Sequence, residues 1–242
     1  MFLGTLLLAV LAAAATQARA EGAAVPWRTL AAEAPGANPQ AIRLALDALR
    51  CAATRGVPSP RRLGVIDYAL PSTRRRLWIF DLRTQRLLMR ERVAHGRNSG
   101  GNEATRFSNR DGSLESSLGL YRTLGTYQGD NGYSLRLQGL DPGFNDNALE
   151  RAIVIHGASY VSKAFAQREG RIGRSWGCPA VSTRVATRVI NSLKDGQMVF
   201  AFYPERSWLD HSRLLHCNMV HGSLTRAEPA RRQAGAASTS AR

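Results

Sequence analysis

The sequence predicts a mainly β (α+β) fold, a β-sandwich or barrel with a few flanking helices. Three observations carry this. Short apolar runs recur between turn-forming residues at 63–69, 76–82, 87–95, 119–124, 133–138, 152–156 and 198–203. Only two stretches keep a helical period, one before the strands and one near their end. The chain has 242 residues, 44% of them hydrophobic and 21% charged, which suits one domain with a sizeable core.

Residues 1–20 read as an export signal. Leu3 to Ala15 is apolar, and Ala18-Arg19-Ala20 forms a small-residue cleavage site. The run is short for a membrane span. Residues 21–37, rich in Ala, Pro and Gly, read as a linker. A first helix begins at Asn38-Pro39, with asparagine as the cap and proline in the first turn. Ile42, Leu46, Leu49 and Ala53 recur at helical spacing, and Gly56 marks the stop.

The strands follow from Leu63. Trp78, Phe80 and Leu82 alternate with Leu77, Ile79 and Asp81, so this strand buries at least one face. Ser182 caps a second helix over 183–194, with Val185, Val189 and Leu193 along one side and Gly196 beyond its end. The strand domain with its N-terminal helix therefore spans 38–206. Periodicity fades from Glu205, and 207–242 reads as a basic, disordered tail.

The formal net charge is +15, with Lys163 and Lys194 the only lysines, so the excess is arginine. No basic helix with interleaved aromatics is present, which argues against a nucleic-acid partner. Contact with anionic envelope polymers fits the charge, and a monomer is expected.

Chemistry concentrates in Ile153–Val181. The β-branched run Ile153-Val154-Ile155 delivers His156 to a strand end, followed by Gly157. Cys178 lies in Gly-Cys-Pro, a segment that suits neither a helix interior nor a central strand. A cysteine on such a turn with an approaching imidazole is the pattern of thiolate catalysis. The amides of Gly177 and Cys178 are candidates for an oxyanion hole.

This H-G…S-W-G-C-P pattern resembles the murein L,D-transpeptidase catalytic domains, the YkuD-type cysteine enzymes, in their divergent Gram-negative branch. V-I-D-Y-A-L-P-S (65–72), L-W-I-F-D-L (77–82), V-A-H-G-R-N-S-G (93–100), S-S-L-G-L-Y (116–121) and G-Y-S-L-R-L-Q-G-L-D-P-G-F-N (132–145) extend the likeness over roughly 40–205. Where many members have Ser-His-Gly-Cys, this chain has Trp176 before Gly177. The resemblance implies the family's fold, a Cys178 nucleophile, His156 as its base, and the Gly157 carbonyl orienting the imidazole. Its implied partner is the peptidoglycan stem peptide, with a thioester acyl-enzyme and a role in cell-wall cross-linking or remodelling in the periplasm. Water as acceptor would make the same site an L,D-carboxypeptidase. An inactive murein-binding module of the same fold and a generic cysteine protease are the competing readings. No cofactor and no metal is implied.

Around the motif, Ser175 either braces the turn or touches substrate, and Trp176 shapes the acyl-donor pocket. Arg174 and Tyr160 are candidates for holding a peptide carboxylate and an acyl chain. His95, which ends a second apolar run, is a candidate for the cleft wall beside His156. The thiolate of Cys178 is expected to be populated near neutral pH.

Cys51 and Cys217 remain. Sequence does not bring them together, and two separate, partly buried thiols are the simpler expectation beside a disulfide. His211, His216, Cys217 and His221 have ligand types that suit zinc, but their spacing matches no closed motif, so a polar extension is expected.

Overall fold

The computed structural model describes residues 25–217. The predicted signal 1–20 and the tail beyond 217 lie outside the described residues. Eight strands form one mixed sheet: β1 (Arg62–Asp67), β2 (Leu77–Asp81), β3 (Arg86–Glu91), β4 (Gly119–Gly129), β5 (Gly132–Gly139), β6 (Val154–Ala158), β7 (Ala180–Ser182) and β8 (Met198–Phe202). Their order is β3-β2-β1-β8-β4-β5-β6-β7. Val93, just past β3, bridges Val181 in β7, and Ala94 N–H donates to the Ala180 carbonyl at 2.8 Å. The two outer edges therefore meet, and the sheet is nearly closed into a barrel. Closure removes exposed edges. The predicted mainly-β fold with flanking helices is what forms.

β1 runs parallel to β8, and β6 runs parallel to β7, while the other pairs are antiparallel. β2 and β8 are buried along their whole length, which explains their unbroken apolar sequences. Helix α2 (Pro39–Thr54) is capped by Asn38, whose side chain accepts from Gln40 N–H at 2.9 Å. It buries Ile42, Leu46 and Cys51. Helix α4 (Thr183–Leu193) buries Ala186, Val189, Ile190 and Leu193. Ser182 occupies its N-cap position, but makes no side-chain capping bond.

Two segments depart from the expected organisation. The stretch 21–37 is not only a linker: α1 (Trp27–Glu33) forms within it, anchored by fully buried Leu30 and by an Arg86–Glu33 ion pair at 3.2 Å. Its single turn or two carry too few apolar positions to show a period. The tail expected to be disordered from 207 is folded as far as Cys217. Helix α5 (Arg206–His211) places Trp208 in the core. The Trp208 indole and the Ser212 hydroxyl both donate to Asp141 Oδ2, at 2.9 and 2.7 Å.

Cys51 and Cys217 form a disulfide, not two separate thiols. The crosslink spans 166 residues and fastens the end of the described chain to α2. A loop of that size is worth about 2–5 kcal/mol through the unfolded chain. Cys217 is thereby removed as a thiolate ligand. His211 Nδ1 and His216 Nε2 instead meet the carbonyls of Ser207 and Leu209, and His221 lies outside the described residues. Among the described residues no helix is long and apolar enough to cross a membrane.

Candidate active site

His156 sits on β6, opposite Ala180 of β7 in a parallel register. Cys178, two residues before Ala180, lies diagonally across from His156, its sulfur meeting the amide of Val154, two residues before His156 on β6. The topology brings together two residues that sequence could only list. Imidazole Nδ1 lies 3.1 Å from the Gly157 carbonyl. Nδ1–H donates to that carbonyl, so the lone pair is on Nε2. Burial holds His156 below the ordinary histidine range, with the Gly157 carbonyl opposing.

Cys178 is the free cysteine among the described residues. Its sulfur accepts from Val154 N–H at 3.5 Å and donates to the Ala152 carbonyl at 3.8 Å. Among the described residues the sulfur makes no hydrogen bond to His156. Burial pushes the Cys178 thiol up, against the Val154 amide and the nearby Arg151 charge. This runs against the expected populated thiolate, because burial favours the uncharged forms of both the thiol and the imidazole. Desolvation outweighs the two stabilising contacts.

The turn before Cys178 is tied down from inside. Gly177 has φ +127°, and a Cβ there would meet the Glu115 carbonyl at 2.9 Å. Only glycine suits that combination. Ser175 is buried and braces the loop: its hydroxyl donates to the Cys178 carbonyl at 2.6 Å and accepts from Gly177 N–H at 3.2 Å. The Gly177 amide, expected in the oxyanion hole, is therefore engaged within the turn. Cys178 N–H has no protein acceptor among the described residues.

The remaining candidates divide. Trp176, two residues before Cys178, is 72% exposed. Tyr160 is half-buried against Gly173, and its phenol is pushed up to about 12 by burial and by the Cys178 sulfur, so it stays a neutral donor. Arg174 does not stand free: Nη1 donates to the carbonyls of Arg97 and Gly100, at 2.9 and 2.8 Å. It fastens the 97–100 loop through Nη1.

His95 is not in the cleft. It is fully buried, with Nδ1 accepting from Arg76 Nη2 at 2.7 Å. Burial and that guanidinium lower its pKa to about 3. Its main chain still serves the site, because the His95 carbonyl accepts from Ser175 N–H at 3.0 Å.

Three groups had no signal of their own. Arg76 is fully buried, donating to the Val93 and Leu70 carbonyls under the Tyr68 ring. Ser116 Oγ accepts from Gly96 N–H and donates to the Gly177 carbonyl, both at 3.0 Å, linking two loops to the cysteine turn. Arg151 lies behind the same turn. Each makes most of its contacts with partners more than fifteen positions away, which no local pattern encodes.

The sequence matches the model of the L,D-transpeptidase catalytic domain over residues 33–202. Among curated proteins, none matches. An L,D-transpeptidase from Mycobacterium smegmatis is 13% identical, with 59% of each chain covered and a TM-score of 0.37. A helical cell shape determining protein from Campylobacter jejuni is 14% identical, over 60% of this chain and 48% of that one, at a TM-score of 0.40. An L,D-transpeptidase from Stackebrandtia nassauensis is 14% identical over 68% of each, at 0.36. The match to the first of these spans less than two thirds of its length. The family match covers well over half of this chain, which belongs to the L,D-transpeptidase catalytic domain family.

Proposed function

We propose that this member of the family is an exported cysteine acyltransferase, an L,D-transpeptidase acting on peptidoglycan stem peptides. The observation that carries the reading is the diagonal pairing of Cys178 and His156 across β6 and β7, with the imidazole tautomer set by Gly157. In the first step the Cys178 proton passes to His156 Nε2 as sulfur bonds to the donor carbonyl carbon. The carbonyl electron pair moves to oxygen, facing Cys178 N–H. Collapse breaks the C–N bond, and the leaving D-residue amine takes the proton from His156. The thioester then passes to an acceptor amine, whose proton returns through His156 to sulfur. Because burial favours the uncharged forms of both groups, His156 acts as a general base during attack rather than as a standing counter-ion.

Export is supported by the apolar leader and by the Cys51–Cys217 disulfide, a bond that persists in oxidising compartments such as the periplasm. The test is mass spectrometry of tetrapeptide muropeptides incubated with protein starting at Glu21. Loss of the terminal D-residue with acyl transfer to an amine is expected, together with a covalent carbapenem adduct on Cys178. Cys178→Ala should abolish both. An adduct or turnover that survives the substitution overturns Cys178 as the nucleophile, and an unmodified protein that gives neither returns the chain to a murein-binding module.

A further inference from the structure

Among the described residues Arg151 has no carboxylate partner at ion-pair distance. Its guanidinium donates to four neutral oxygens: the Ser108 carbonyl at 2.7 Å, Ser117 Oγ at 2.6 Å, Ser113 Oγ at 3.1 Å and the Glu115 carbonyl at 2.8 Å. The Glu115 carboxylate itself faces Arg106 at 3.6 Å. A half-buried cation surrounded by neutral oxygens is costly unless an anion answers it. The guanidinium also points at the nucleophile turn, since a Cβ on Gly177 would come within 3.5 Å of Arg151 Nη2. The next residue in the turn is Cys178. The next residue after Arg151 is Ala152, held at φ +52°, whose carbonyl receives the resting thiol. A left-handed alanine carries strain of roughly 1–2 kcal/mol, so the surrounding contacts fix this backbone.

We propose that Arg151 is the positioning residue whose charge is answered by the Cys178 thiolate and by the anionic tetrahedral intermediate. The inference rests on Cys178 being the nucleophile. In the resting protein Arg151 makes no ion pair among the described residues, and the carboxylates of Asp111 and Glu115 act on it only at longer range. When His156 removes the proton, the negative charge on sulfur appears in front of a fixed guanidinium. The charge does not have to be recruited, because four hydrogen bonds already hold it. This gives the turn a cationic group at its rear face, where Trp176 supplies none.

Cys51 and Cys217 are joined, so Cys178 is the thiol that alkylation reads. The pH profile of iodoacetamide labelling on the mature chain is the measurement. Arg151→Gln should raise the labelling midpoint by about one pKa unit or more, as loss of one charge at this range predicts. Arg151→Met, a second uncharged variant, should shift the midpoint the same way and decides the matter if the glutamine variant does not fold. Ser117→Ala removes a brace but no charge, and should leave the midpoint in place. An unmoved midpoint in folded Arg151→Gln or folded Arg151→Met, or an equal shift in Ser117→Ala, reduces Arg151 to a loop brace and overturns the proposal. A shifted midpoint in a protein that turns over no muropeptide overturns the transpeptidase reading and upholds Arg151.

Discussion

His95 and His156 look alike in sequence and behave as opposites in the fold. Each follows an apolar run, and each precedes a glycine. His95 ends in the core with an arginine on its Nδ1, and its Nε2 has no hydrogen-bond partner. His156 has a carbonyl on Nδ1, and its unpartnered Nε2 is not among the enclosed polar atoms. An arginine can only donate, so it fixes the proton of His95 on Nε2 and uses up the lone pair. A carbonyl can only accept, so it leaves His156 with a lone pair on Nε2. The atom across from Nδ1 therefore decides whether a histidine can act as a base.

The largest test of this contrast is on activity. His156→Ala should lower stem-peptide kcat/KM by about 10²-fold or more, with little change in the Tm. His95→Ala should leave turnover by the folded enzyme within a few-fold. Steady-state kinetics on both variants would break the comparison if the two effects were exchanged.

Next comes stability. His95→Ala leaves Arg76 without one buried acceptor and opens space behind the 93–100 loop. A loss of about 2–4 kcal/mol is expected in urea unfolding. A loss below about 0.5 kcal/mol would mean that the Arg76–His95 contact contributes nothing.

The two histidines also predict separate pH behaviour. His95 has a folded pKa of about 3 against an unfolded value of 6.5. Its contribution is complete above pH 6.5 and falls as pH drops from 6.5 toward 3, because only the unfolded chain takes up the proton. His156, also lowered, adds to the same slope. Asp67 and Asp141, raised by burial, oppose it near the carboxylate range. Tm measured between pH 7 and 4.5 should fall less steeply in His95→Ala than in the unmodified protein. The acid limb of kcat/KM should lie below 6.5 and vanish with His156, not with His95.

The smallest effect belongs to the exposed indole. Trp176→His should change stability by less than about 0.5 kcal/mol, while shifting donor preference, read as KM across stem peptides, more than kcat. A large Tm change would place Trp176 in the packing of the turn.

Local pattern determined much of this protein. The seven strands read from apolar runs, the α2 and α4 periods, the Asn38 cap and the Gly-Cys-Pro turn all depend on residues a few positions apart, and such signals survive in sequence. β7, three residues long, is too short to give one. Tertiary structure decided the rest. α5 and the folded segment up to Cys217 are held by Trp208 and Ser212 on Asp141 and by a disulfide to α2. Ser175 turns inward because the Gly177 amide and the Cys178 carbonyl are there to receive it, and Arg174 is held by carbonyls more than seventy positions away. His95 and His156 differ through partners nineteen positions away and one position away. The upward shift of the Cys178 thiol is likewise a matter of burial, and burial is fixed only when the barrel closes around the turn.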